Sequence, residues 1–397
     1  MTTDPLVGAL LDGRYRVEAR IATGGMSTVY RGLDIRLHRP VALKVMDARY
    51  AGDQQFLTRF HREARAIASL KHPGLVAIYD QGNDPRHPFL VMELIEGGTL
   101  RELLRERGPM PPHAVVAVLR PVLGGLGVAH QAGLVHRDVK PENVLISHDG
   151  EVKLVDFGLV RAIAEAGVTS TSVILGTAAY LSPEQVLGQA TGPRSDVYAA
   201  GIMAFELLTG TTPFSGDSAI AVANQRLDRD VPPPSSLIDG VPEEFDAFIA
   251  GATARDPDRR FADAAAMGAD LDAIAEELAL PQFRVPAPKF SAQHAATVVS
   301  PPVGRPTRQL TRGAQDWQPP ADSDGDAETE LVHDDAIDET DSPPRQFAGI
   351  DIDEFIWSRQ RSRRILTFWV LTVFVLTGLV ALAGWSLGTN LDGLLGR

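Results

Sequence analysis

His136-Arg137-Asp138-Val139-Lys140-Pro141-Glu142-Asn143, followed by Asp156-Phe157-Gly158, is the stretch that decides how this chain is read. Asp138 offers a carboxylate that can take the proton of an attacking hydroxyl. Lys140 can meet the charge of a phosphate in flight, and Asn143 and Asp156 present two hard oxygen donors of the kind that hold Mg²⁺. Either triplet alone carries little information. Together, in this order and at a spacing one domain can span, they point to phosphoryl transfer.

The upstream sequence contains matching pieces. Val41-Ala42-Leu43-Lys44 is a short apolar run ending in a base, which predicts a buried strand presenting one ammonium. In Arg59–Ile67, Phe60, Ala64 and Ile67 recur at helical spacing and Glu63 lies among them. Before these, Ile21-Ala22-Thr23-Gly24-Gly25-Met26-Ser27-Thr28-Val29 predicts a glycine-containing loop able to approach phosphate. These segments and the first two resemble the conserved loops of bacterial eukaryotic-like (Hanks-type) serine/threonine protein kinases, and the likeness runs from about Tyr15 to about Leu278.

The resemblance implies an α+β, bilobal protein-kinase fold: a small, mainly β N-lobe carrying one helix, αC, and a larger, mainly helical C-lobe. It implies Asp138 and Lys140 as catalytic groups, a Lys44–Glu63 pair that orients the phosphates of ATP, and Mg²⁺ or Mn²⁺ held by Asn143 and Asp156. By the same resemblance Ala22, Gly24, Gly25, Val29, Ala42, Lys44, Met92, Glu93, Ile95 and Leu145 line the nucleotide pocket. Met92 is the gatekeeper, and the backbone of Glu93 and Ile95 meets the base. The family's glycine loop has three glycines where this chain keeps only Gly24; Ala22 and Ser27 occupy the other places. Side chains there are expected to stiffen the loop or loosen its grip on ATP.

Thr169-Ser170-Thr171-Ser172 lies between Asp156 and Ser182-Pro183-Glu184, in the position of the family's activation loop. Thr169 and Thr171 are the expected phosphorylation sites, with Arg137 as the partner of the added phosphate. Thr177 matches the residue that contacts the catalytic aspartate and lysine in serine/threonine kinases. Asp196 matches the aspartate that braces the catalytic loop, and Arg260 is expected to pair with Glu184.

Composition fits one catalytic domain with an appendage. The chain has 397 residues, more than the roughly 250 that one core organises, and a net charge of −13. It has no Cys, which excludes a disulfide framework, cysteine zinc fingers and thiol catalysis. No apolar stretch near Met1 resembles a secretory signal. Residues 321–355 carry thirteen acids against Arg345 alone, which predicts a disordered strip within a Pro-, Thr- and Asp-rich linker. Thr297, Ser300, Thr307, Thr311, Thr329 and Thr340 are hydroxyls in it open to autophosphorylation.

Ile365 to Leu387 is a run of 23 uncharged residues, enough for a helix to cross a hydrocarbon core of about 30 Å. Arg359, Arg361, Arg363 and Arg364 crowd its N-terminal flank and only Arg397 follows it, so the kinase domain is expected in the cytoplasm. The expected organisation is a lead (1–14), a kinase domain (15–278), a disordered acidic juxtamembrane linker with a basic membrane flank (279–364), a transmembrane helix (365–387) and a short extracytoplasmic tail (388–397) with no room for a sensor domain. The whole resembles short-tailed actinobacterial membrane kinases.

The expected activity is transfer of the γ-phosphate of Mg·ATP to Ser or Thr of the chain itself and of cytoplasmic proteins. The expected partners are those substrates, membrane lipid through the span, and a second copy pairing through the N-lobe, where Arg14 and Asp80 fall at the pairing positions. No nucleic-acid partner is predicted. The alternatives are a membrane-tethered pseudokinase and a nucleotide-binding scaffold, which would bind ATP without turnover.

Overall fold

The computed structural model describes residues 4–84, 87–157, 178–216, 218–292, 346–347 and 350–351. The amino-terminal lobe is built on a six-stranded antiparallel sheet of β1 (Leu10–Leu11), β2 (Tyr15–Thr23), β3 (Ser27–Asp34), β4 (Arg39–Met46), β5 (Ile78–Asp84) and β6 (His87–Met92), in the order β1-β2-β3-β4-β6-β5. Strand β4 is buried from Val41 to Met46 because both its faces are covered. Its period of two puts Val41, Leu43 and Val45 in a cluster with Tyr15, Tyr30 and Phe89, and Ala42 and Met46 in a second cluster on the opposite face. Lys44 shares the parity of Ala42 and Met46, so its ammonium emerges on the side of helix α1.

Helix α1 (Gln54–Ala68) begins where the Asp53 carboxylate accepts from the N–H groups of Gln55 and Phe56. It buries Phe56, Leu57, Phe60 and Ala64 against the Ala42/Met46 face. The predicted helical segment around Glu63 is therefore this helix, and Glu63 is half-buried on it.

The carboxy-terminal lobe holds α2 (Leu100–Arg107), α3 (Pro112–Gln131), α4 (Pro183–Val186), α5 (Pro193–Thr209), α6 (Ala219–Asp228), α7 (Glu243–Thr253) and α8 (Ala264–Glu277). A small antiparallel sheet of β7 (Gly97–Thr99), β8 (Val144–Ser147) and β9 (Val152–Leu154) lies at its upper edge. Helix α5 is buried continuously from Ser195 to Thr209, because α3, α7 and α8 close around it. Helix α3 is long and apolar enough to cross a membrane, yet 67% of its most apolar 18-residue stretch is buried. One bridge, Leu75 with Leu154, ties the segment after α1 to β9, and Val76 N–H donates to Leu154 O at 3.0 Å.

The bilobal fold expected from the sequence is present. The linker expectation needs one correction: disorder was expected from residue 279, but residues up to 292 pack on the C-lobe, with Val285 3% exposed in its main core cluster. Apolar side chains spaced between prolines have no helical or strand period, so this docking leaves no pattern to read. A separate short antiparallel pair, β10 (Gln346–Phe347) and β11 (Ile350–Asp351), falls within the acidic strip. The predicted span 365–387 and the tail after it lie outside the described residues.

Candidate active site

The catalytic loop is held from below by one carboxylate. Asp196, near the start of α5, accepts from the backbone N–H of His136 and of Arg137, both at 2.7 Å, and meets His130 Nε2 at 2.9 Å. These bonds hold Arg137 at φ +66°, a left-handed conformation that costs a non-glycine residue of order 1 kcal/mol. His136 is fully buried, which pushes its imidazole below the ordinary histidine range. As a neutral ring it donates from Nε2 to Val155 O at 3.0 Å and accepts at Nδ1 from Asp138 N–H at 3.3 Å. One side chain thus ties the catalytic loop to the residue before Asp156.

Three predicted groups converge above this base. Asp138 receives Lys140 Nζ at 2.8 Å on Oδ2, and Asn143 Nδ2 at 3.0 Å on the same oxygen. Asn143 Nδ2 also donates to Asp138 O at 2.8 Å. With the amide nitrogen committed to Asp138, Asn143 offers its carbonyl oxygen as the hard donor a divalent ion requires. Asp138 keeps about a quarter of its side chain exposed, so an incoming hydroxyl can reach it.

Lys44 and Asp156 meet directly, Nζ to Oδ1 at 2.7 Å, with Lys44 only 2% exposed. The sequence reading had paired Lys44 with Glu63. In the structure the ion pair of Lys44 is with Asp156, while Glu63 lies half-buried on α1. A buried ammonium needs a counter-charge, and Asp156 supplies it from a left-handed backbone at φ +66°. ATP phosphates and a divalent ion would satisfy Lys44 and Asp156 separately, so ligand binding and release of this pair are linked.

The residues present fit such an ion. Asn143 and Asp156 lie at the two ends of the β8–β9 hairpin and supply oxygen only. Among the described residues no cluster of three or more His, Cys, Asp or Glu could cage a metal alone. That donor count suits Mg²⁺, which keeps waters and takes substrate phosphate as ligand.

Several of the residues expected to line a nucleotide pocket lie close together in the amino-terminal lobe. Ala42, Met92 and Ile95 share one buried cluster, against which Leu145 packs, and Val29 is half-buried on β3. Glu93 N–H is committed to Ala77 O at 2.9 Å, so the carbonyl is the backbone group it can turn to a base. Its carboxylate holds Lys153 at 2.6 Å, which fixes the hinge against β9. In the glycine loop Ala22 pairs with Val29 across the β2–β3 hairpin, and Gly24 N–H donates to Ser27 O at 2.8 Å. None of Ala22, Gly24, Gly25 and Ser27 adopts positive φ. The alanine and serine departures therefore carry no backbone strain.

Several contributors were not read from the sequence. Met26, at the loop tip, is buried in the cluster of Ala42 and Met92. Arg101 on α2 joins Glu142 at 2.8 Å and Glu206 at 2.6 Å, and both Arg101 and Glu206 meet the Tyr180 hydroxyl. This network reaches the residue beside Asn143. No local motif marks it, because its members are spread from α2 to α5. Glu184 and Arg260 form the expected pair, bidentate at 2.9 Å on each arm. Gly158, Thr169, Thr171 and Thr177 lie outside the described residues.

Comparison with known proteins agrees with this geometry. The model of the protein kinase domain family matches residues 15–270. The chain is 65% identical to the serine/threonine-protein kinase PknL of Mycobacterium bovis, over 99% of both chains. It is 45% identical to the serine/threonine-protein kinase PknB of Mycobacterium leprae, over 68% of this chain and 44% of that one. Among solved structures, the Mycobacterium tuberculosis PknI kinase domain superposes with a TM-score of 0.55 at 26% identity, covering 68% of this chain and 99% of that domain.

Proposed function

Because this chain belongs to the protein kinase family and is a serine/threonine-protein kinase, we propose that it moves the γ-phosphate of Mg·ATP first to its own activation loop and then to cytoplasmic proteins, while anchored in the membrane by residues 365–387. The observation that carries the phosphotransfer reading is the grouping of Asp138 with Lys140 and Asn143 at 2.8–3.0 Å. A carboxylate hydrogen-bonded to an ammonium and an amide is oriented to accept a hydroxyl proton as the oxygen attacks. Asn143 and Asp156 would hold the divalent ion, which screens the charge of the transferring phosphate.

Activation by the loop is supported by Arg137, whose backbone is fixed by Asp196 and by Gln185 donating to its carbonyl at 3.2 Å. Phosphate on Thr169 or Thr171 would gain the Arg137 guanidinium, carried on a backbone already held in place. Replacing both by Ala is expected to lower the rate toward a protein acceptor about tenfold, the equivalent of one charge-assisted hydrogen bond. Steady-state phosphotransfer by the wild-type and double-mutant chains, with melting curves of each, checks this; equal rates would remove the switch.

Anchoring is supported by the uncharged run and its asymmetric arginines. Deleting residues 365–387 is expected to move the chain from the membrane pellet to the soluble fraction with phosphotransfer retained. Pelleting of the deleted chain would show that the linker or the kinase domain carries the attachment. Pairing of two N-lobes would reuse charges already engaged within one chain, where Arg14 meets Asp34 at 2.7 Å and Asp80 at 3.2 Å. With Arg14 as its main partner, the Asp34 carboxyl is held down at about 2.

A further inference from the structure

The family match ends at residue 270, but the described chain continues past α8 and turns at Ala279. It runs back over the C-lobe, and its contacts are specific. Arg284 Nε donates to Asp149 O at 2.9 Å in the turn between β8 and β9. Val285 is buried in the main core cluster. Lys289 N–H donates to Glu106 at 2.8 Å, and Ala292 N–H to Glu102 Oε1 at 2.9 Å, both on α2.

Two glycines make room for this course. A Cβ on Gly98 in β7 would lie 2.4 Å from Pro288 Cγ and 2.7 Å from Ser291 Cβ. One on Gly150 would lie 2.6 Å from Arg284 Cγ, and Gly150 is also at φ +76°. Real Cβ contacts are not this short, so strap and surface fit only because these positions lack side chains.

Both anchoring points lead to the site. The β8–β9 hairpin has Asn143 just before it and Asp156 just after it, so fixing its turn fixes the separation of the two metal donors. Glu102 closes the capping box at the start of α2, accepting from Thr99 N–H at 2.8 Å, while its other oxygen holds the strap. Its neighbour Arg101 reaches Glu142 beside Asn143.

We propose that residues 281–292 form an intramolecular strap that positions the metal-donor hairpin and α2, with Arg284, Val285 and Glu102 as positioning residues for phosphoryl transfer. The strap is the first part of the connection toward the acidic strip and the proposed span. It makes the catalytic unit larger than the family domain. Nothing in the strap touches the reacting atoms; it acts through the hairpin.

The test replaces residues 284–292 in the full-length chain by a Gly/Ser run of equal length. Amide hydrogen exchange is followed without nucleotide, and kcat and the Mg²⁺ requirement are followed at saturating ATP. The expected result is faster exchange confined to residues 144–154 and 100–107, a kcat about tenfold lower, and a several-fold higher Mg²⁺ concentration at half-maximal rate, because small misplacement of reacting groups is costly. Val285→Asp should act in the same direction and Val285→Ile should retain wild-type values. Unchanged exchange at the hairpin overturns the proposal, as does faster exchange with unchanged kcat and Mg²⁺ requirement. Exchange accelerated equally in α3, α5 and α8 also overturns it, by making the strap a general stabiliser.

Discussion

Asp138→Asn is expected to lower phosphotransfer by about 10²–10⁴-fold while ATP binding and the melting temperature stay near wild type. The amide is isosteric, so it can still accept from Lys140 and Asn143, which lie 2.8 and 3.0 Å from Oδ2. What it loses is the capacity to take a proton. Lys44→Met should also abolish labelling, for another reason: it removes a cation from the phosphates and deprives Asp156 of its 2.7 Å partner. The two variants separate by titration. Asp138→Asn keeps nucleotide affinity, whereas Lys44→Met weakens it. Measuring incorporated radiolabelled phosphate together with thermal shift against ATP checks both, and undiminished labelling in Asp138→Asn would remove that residue from the proton-transfer role.

The parts of this site that the sequence made legible are those whose chemistry restricts residue type. Proton acceptance, hard-metal ligation and phosphate contact each admit few side chains, and here they recur in order over a short stretch. Strand β4 was equally legible, because an apolar run of that length covered on both faces has no polar break until Lys44. The partner of Lys44 was not legible. A spacing that allows a Lys44–Glu63 bridge also allows Lys44–Asp156, and the choice depends on how α1 and the segment entering Asp156 sit, which is a tertiary matter.

The Arg101 network and the strap were hidden for a different reason. Their geometry is set by residues far apart in sequence: Arg101 with Glu206, Arg284 with Asp149, Ala292 with Glu102. Each of those residues, taken alone, reads as a solvated surface charge or a linker residue. At Ala22 and Ser27 the backbone is ordinary extended structure that any residue adopts, so these departures from the glycine pattern change side-chain bulk at the loop and not its backbone conformation.

Arg260→Met is expected to destabilise the C-lobe by about 3–5 kcal/mol, the cost of leaving one buried charge uncompensated. Arg260 has a fully buried side chain and commits all five donors: two to Glu184, and one each to the carbonyls of Ala254, Arg194 and Arg255. Burial alone would raise the Glu184 carboxyl. The Arg260 bonds, with Ser195 donating at 2.7 Å, outweigh it and hold that carboxyl below the usual glutamate range. The sign of the pH dependence follows. A carboxyl depressed in the folded state contributes stability above its unfolded value of 4.5, and that contribution is lost as pH falls through the lower folded value. Arg260→Met should therefore lose stability most at neutral pH and approach the wild type in acid, where Glu184 is protonated in both. Paired substitution Glu184→Gln with Arg260→Met removes both charges and should recover part of the loss. Urea unfolding of the wild type and the two variants at pH 7 and below pH 4 measures it, and a loss independent of pH would show that the carbonyl contacts of Arg260, not its pairing with Glu184, hold the lobe.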